Sequence, residues 1–223
     1  MTLYDRLLAE TADARADFIS MPIVGRALHG DVPQGLYLGF LTQAYHHVRH
    51  TCPLLALAAS RTGDTRYREA LFTYLDEEWG HDLWILDDIR AVGGDPRAVA
   101  NGKANISCRA MVAFAYYAIE WSSPYALLGM VHVLEGMSVQ LATQVAAAIQ
   151  RSYGLETERG VRYLRSHGAL DIHHTAFFRA LIDGIGDPAA EDVIVDSAIV
   201  FYRLYGDIFR ELTTHHRETT RAD

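Results

Sequence analysis

Apolar residues recur along this chain at the three-to-four-residue spacing of helix faces, and no stretch alternates apolar and polar positions long enough for a sheet. Leu3, Leu7, Leu8 and Ala12 open the first stripe directly after Thr2, whose hydroxyl can cap a helix by accepting from a free backbone N–H. Pro22 suits the first turn of a short helix ending at Gly30. Pro33 does the same for a longer one through YLGFLTQAYHHVRHTCPLLALAASR, which Pro53 should kink rather than end. A helix from about Arg66 to Val92 stops at Gly93-Gly94, another covers about Ser107 to Trp121, and Pro124 opens one reaching Tyr153-Gly154. Residues 158–184 fit two helices meeting near His167-Gly168, and the last helix spans about Pro188 to His216. No Ser/Gly/Pro-rich linker or repeat divides this pattern. It predicts one all-α bundle over residues 1–223, with a loosely ordered tail from about residue 214.

Composition narrows the partners. A chain of 223 residues, half of them apolar and 22% charged, can bury a full core and is not disordered. Its net charge of −8, with Lys103 as the one lysine, argues against nucleic acid. The N-terminal stretch MTLYDRLLAETADARADF breaks its apolar residues with acids, so it reads as neither a signal peptide nor a membrane span. A cytoplasmic protein is the expectation. Cys52 and Cys108 have no C-x-x-C spacing and are too few for a disulfide scaffold, which fits two reduced, buried thiols.

The chemistry concentrates in SHGALDIHHTAFF. His167, Asp171 and His174 form an H-x3-D-x2-H triplet whose offsets bring three metal-binding side chains to one helix face. Two imidazoles and a carboxylate, with further acids nearby, suit non-haem iron better than zinc. Glu78 and His81, three apart in DEEWGHD, share a face of the Arg66–Val92 helix, with Glu77 as a fallback for the acid. Glu135 stands amid Leu134, Met137 and Val139, where a carboxylate either faces solvent or is buried with a compensating cation. A surface Glu beside a core His would also produce the Glu78/His81 pair, so its weight comes from the combination. Three helices each offering acid or imidazole on an apolar face are costly for structure alone.

Other polar groups read more quietly. His132, three before Glu135, is a core residue or a hydrogen-bonding support for it. In QAYHHVRHT, His46 and His50 share a face with His47 turned aside, and core or supporting roles fit all three. His50, Arg49 and Tyr45 are candidates to support the ligands or touch the substrate; Arg49, Arg109 and Arg203 are each able to receive a carboxylate. Asp87-Asp88 and the pair Asp82/Glu77 read as solvated faces, and His215 and His216 as solvated tail residues. There is no Gly-rich phosphate loop and no recognisable Ser or Cys nucleophile.

These residues resemble the haem-oxygenase-like di-iron oxidase and oxygenase family, within the larger group holding thiaminase II and pyrroloquinoline quinone synthase. The likeness runs through YHHVRHTCPLL, EEWGHD, MVHVLEG, SHGALDIHH and FYRLYGDIFR, and so covers nearly the whole chain. It implies a compact haem-oxygenase-like bundle of about seven or eight helices, frequently dimeric, hence a homodimer. It implies iron ligands at Glu78, His81, Glu135, His167, Asp171 and His174, two Fe(II) per chain, and O2-dependent oxidation of a small carboxylic or amino acid. Some members place the first acid seven residues before the His, where Tyr74 stands here. The alternatives are a metal-free thiaminase II-like hydrolase, which would need Cys52 or Cys108, a quinone synthase-like oxidase, or a non-catalytic ligand-binding protein.

Overall fold

The computed structural model describes the backbone of residues 1–222 and the side chains of residues 1–167 and 175–214. The described residues form thirteen α-helical segments and no strand. Thr2 caps α1 (Leu3–Glu10), accepting from the Asp5 N–H at 3.2 Å while the Asp5 carboxylate accepts from the Thr2 N–H at 3.4 Å. Buried Thr11 separates α1 from α2 (Ala12–Ile19) and donates to the Leu7 carbonyl at 2.7 Å. After α3 (Pro22–Leu28), the long apolar run divides into α4 (Gln34–Val48) and α5 (Thr51–Arg61). The kink expected at Pro53 therefore falls earlier, at Arg49-His50. Pro53 lies in the first turn of α5, where its missing N–H leaves no helical bond unmade.

The region expected as one helix from Arg66 to Val92 is also two, α6 (Thr65–Glu78) and α7 (His81–Ala91). Asp64 caps α6 through the Tyr67 N–H, and Asp95 caps the short α8 (Pro96–Asn101) through the N–H groups of Arg97 and Ala98. Asn105 caps α9 (Ile106–Tyr117), which ends in a π-helical turn at Ala118–Ser122. Next come α10 (Ala126–Met137), a second π-helical turn (Ser138–Ala142) and α11 (Thr143–Ser152), one continuous rod. The last two helices, α12 (Arg162–Ile182) and α13 (Pro188–Ala222), are each unbroken. The division expected near His167-Gly168 is absent, and α13 continues beyond His216.

Helix α13 is the spine, packed against α10, α9, α4 and α2. Its closest approach to α10 is at Gly129, where a Cβ would meet the Ala198 nitrogen at 2.6 Å and the Ser197 Cβ at 2.7 Å. The Ala126–Ser152 rod is long and apolar enough to cross a membrane by length and composition; half of its most apolar window is buried inside the bundle. Fully buried Leu7, Leu54, Leu71, Met111, Leu128 and Phe201 belong to one large core cluster. Each such side chain contributes about 1.5–3 kcal/mol relative to exposure. A second cluster joins α4, α7, α11 and the start of α12 through Leu41, Ile85, Ile89, Ala146 and Ile149.

His132 is built into the first core. Its Nε2 lies 3.3 Å from the Thr11 hydroxyl oxygen, whose proton is committed to Leu7, so the imidazole donates. Burial, helped by the charge of Arg15, holds this imidazole down to about 4. The unfolded chain therefore takes up a proton below about pH 6.5 that the folded chain refuses, and stability falls as pH drops from there toward 4. Urea unfolding should show this loss between pH 7 and pH 5, at up to about 1.4 kcal/mol per pH unit for each such histidine. His132→Gln should flatten the slope by one proton; an unchanged slope would show that this imidazole is not the source.

Candidate metal centre

Glu78 and His81 do not share a helix face. Glu78 ends α6, Trp79 turns extended at φ −63° and ψ 118°, and Gly80 adopts the left-handed conformation at φ 87° before His81 starts α7. A helical pattern tolerates an isolated glycine, but here its positive φ reverses the chain locally. The reversal places His81 Nδ1 3.0 Å from Glu78 Oε2. From the opposite side α12 supplies His167, whose Nε2 is 3.9 Å from the same oxygen. One donor atom from each of Glu78, His81 and His167 falls within 4.8 Å of the others.

The surroundings fix each group. His81 is 2% exposed, stacked on Trp84 at 4.1 Å between centroids and meeting the His167 ring near edge-on at 4.9 Å. The Arg162 guanidinium covers Trp84 at 4.6 Å. His167 Nδ1 lies 3.0 Å from the Tyr163 carbonyl oxygen, which only accepts. The proton therefore sits on Nδ1, and the Nε2 lone pair points at the cluster when the ring is neutral. Burial pushes the Glu78 carboxyl up, but hydrogen bonds and charge from His167 and His81 outweigh it and bring it down to about 2. At neutral pH this is an ionised carboxylate beside two imidazoles, a donor set that suits ferrous iron or another divalent first-row metal. Glu77, by contrast, is exposed.

A carboxylate read from sequence as solvated holds the two halves of this cluster together. Asp88 is 1% exposed and accepts from the N–H groups of Gly160 and Tyr163 at 2.8 Å and of Arg162 at 3.1 Å. Those N–H groups belong to the start of α12, whose own N-cap, Val161, has no side chain to offer. Burial pushes the Asp88 carboxyl up, and the three N–H groups pull the other way. Asp88 thus ties α7, which begins at His81, to the helix that carries His167. Its neighbour Asp87 is the solvated one, paired with Arg90 at 2.7 Å.

The cluster opens on a cavity of about 190 Å³ lined by Glu78, His167, Glu135, Tyr74, His47 and many apolar side chains. Glu135 leaves α10 just before the π-helical turn, whose Ser138, Leu141 and Ala142 continue the wall. Glu135 also lines a smaller cavity of about 100 Å³ with His132 and Arg15. The side chains of Asp171 and His174 lie outside the described residues; the unbroken backbone of α12 removes the bend that would have separated them from His167. Of the supporting candidates, His50 Nδ1 is 3.0 Å from the Tyr116 hydroxyl, Arg49 is exposed over the Tyr45 ring at 5.5 Å, and Tyr45 itself is buried. None of these three lines the larger cavity, whereas His47 does. In QAYHHVRHT it is thus His47, read from the sequence as turned aside, that reaches the cavity, while His46 and His50 do not line it.

Comparison with known proteins places the chain. Residues 38–206 match the model of the iron-containing redox enzymes. The chain belongs to that family. No curated protein matches it. Its fold is similar to that of a domain of unknown function with a haem-oxygenase-like fold from Shewanella denitrificans OS217, at 21% identity and TM-score 0.87, over 99% of this chain and 95% of that one. A TenA homologue from Pseudomonas syringae pv. tomato DC3000 is similar at 11% identity and TM-score 0.81, over 95% and 93% of the two chains. Haem oxygenase-1 from Synechocystis sp. PCC6803, in complex with haem, is similar at 15% identity and TM-score 0.77, over 100% and 97%. The all-α haem-oxygenase-like fold expected from the sequence is the observed one.

Removing the Asp88 cap tests how this family member holds its cluster. Asp88→Ala leaves one buried and two part-buried N–H groups without their acceptor and should lower unfolding stability by about 2–4 kcal/mol in urea. It should also weaken metal binding measured by calorimetry, because α7 and the start of α12 lose their common anchor. Full stability in the variant would contradict the clamp.

Proposed function

We propose that this iron-containing redox enzyme is a non-haem di-iron oxidase or oxygenase acting with O2 on a small organic substrate. The observation that carries the reading is the Glu78–His81–His167 cluster, with His167 Nε2 aimed at it by the Tyr163 carbonyl, at the wall of an apolar cavity. These three residues would hold one Fe(II). Glu135 lines the same cavity, and with Asp171 and His174 it completes the donor set that the sequence spacing offers for a second. Bound iron supplies the one- and two-electron reactivity toward O2 that no side chain of the chain possesses.

The protein's own groups do the rest. Glu78, kept ionised, would add negative charge to the two imidazole donors and so offset the charge of a bound metal. Leu54, Leu55, Leu127, Met130, Leu134 and Phe209 exclude water from the substrate space. No Lys or Arg lines the cavity among the described residues. This lining favours a substrate whose body is apolar, whether of carboxylic or amino acid type.

The thiaminase-like alternative lacks its nucleophile in this arrangement. Neither Cys52 nor Cys108 lines the cavity, burial pushes both thiols up, and Cys108 reaches about 12. Anaerobic Fe(II) titration should saturate near two equivalents per chain, and His167→Ala should lose at least one of them. Exposure of the loaded protein to O2 with straight-chain acids should then give an oxidised product by mass spectrometry. Fe(II) binding unaffected by His167→Ala, or no O2 consumption by the loaded enzyme, would reject the reading.

A further inference from the structure

His47 carries an unexplained cost. It lies on α4, is 3% exposed, and lines the larger cavity beside Glu78 and His167. Its Nδ1 is enclosed and has no hydrogen-bond partner among the described residues, and the Tyr205 ring meets the imidazole edge-on at 6.2 Å. A buried polar nitrogen left unmatched costs about 1–3 kcal/mol, whereas a leucine would fill similar space without that penalty. Such an orphan in a folded protein calls for a water, an ion or a ligand that reaches it. Burial, then the neighbouring His167, His50 and His46, hold the imidazole neutral by bringing it down to about 3. A cation partner for an anion is therefore not what it offers.

Several other polar groups in the same wall are already engaged. The Tyr37 hydroxyl donates to the Gly160 carbonyl at 2.7 Å. Tyr163, His167 and Glu135 each make interactions of their own. The rest of the wall is aliphatic and aromatic except for Glu78, Thr51 and Ser138, with no Lys or Arg among the described residues.

We propose that His47 is the hydrogen-bonding anchor of this cavity, holding the one polar group of a ligand whose remaining body is apolar. A neutral imidazole nitrogen either donates or accepts a single hydrogen bond, so the matching group is a hydroxyl or a carbonyl-type oxygen. The anchor sets which end of the ligand faces Glu78 and His167 and leaves the apolar end among Leu54, Leu55 and Leu127. His47 is thereby a specificity-determining residue. The inference does not depend on iron.

The test is calorimetric titration of the full-length protein, with no iron added, against 1-hexanol and 1-chlorohexane. Both fit an apolar space, and the alcohol alone donates and accepts strongly. Wild type should prefer 1-hexanol; His47→Leu should bind it about tenfold more weakly, the size of one net hydrogen bond, while binding 1-chlorohexane unchanged. His47→Gln, which keeps an amide at the position, should recover most of the alcohol preference. Without ligand, His47→Leu should melt at or above the wild-type temperature, because it removes the unmatched nitrogen. Equal preference in wild type and His47→Leu overturns the proposal. So does a His47→Leu protein that melts lower or fails to fold, which would mark a structural imidazole. Because iron is absent throughout, these outcomes are independent of the Fe(II) titration.

Discussion

A carboxylate ionised inside an apolar bundle is tolerated only if opposing charge or hydrogen bonds surround it, and Glu78 is the residue on which that constraint falls. Burial alone would drive its carboxyl toward the neutral form; His167 and His81 reverse the direction. The three side chains therefore form one unit, and removing any of them leaves the others as uncompensated buried polar groups. Much of the surrounding architecture keeps that unit in register. Gly80 reverses the chain so that His81 turns back on Glu78, the Tyr163 carbonyl orients His167, and Asp88 fastens α7 to the first turn of α12.

Placing this unit at the wall of a cavity changes what it can do. Solvent would screen an exposed cluster, but here Glu78 and His167 face a space bounded mainly by Leu, Met, Val and Phe. Electrostatic interactions inside such a space are stronger, and reactive species formed there meet little water. The π-helical turn following Glu135 lies where the α10–α11 rod passes this space, and π-turns recur at functional sites. His47 adds a neutral hydrogen-bonding group to a lining that is mainly apolar.

Much of this was legible from residue types and spacing. The 3.6-residue periodicity gave the helices, and the Thr2 and Pro33 boundaries follow directly from capping and proline chemistry. Of the two acids the sequence offered, Glu78 lies beside His81 and His167, whereas Glu77 is exposed. What stayed hidden has one physical origin: tertiary contacts override local pattern. The Trp79-Gly80 break was invisible because a single glycine is compatible with a continuous helix. Asp88 looked solvated because the N–H groups that receive it come from Gly160, Arg162 and Tyr163, more than seventy residues away. His47 was not singled out because the sequence does not show which face of α4 borders the cavity. A buried acid next to a solvated one, as at Asp87-Asp88, has no signature in composition.

The central claim is that Glu78, His81 and His167 are an iron site inside the bundle. Anomalous scattering at the iron absorption edge, from crystals grown anaerobically with Fe(II), tests it most directly. The account expects an iron peak bonded to a Glu78 carboxylate oxygen, a His81 ring nitrogen and His167 Nε2. Iron located only on the surface, with Glu78 still hydrogen-bonded to His81, would contradict it.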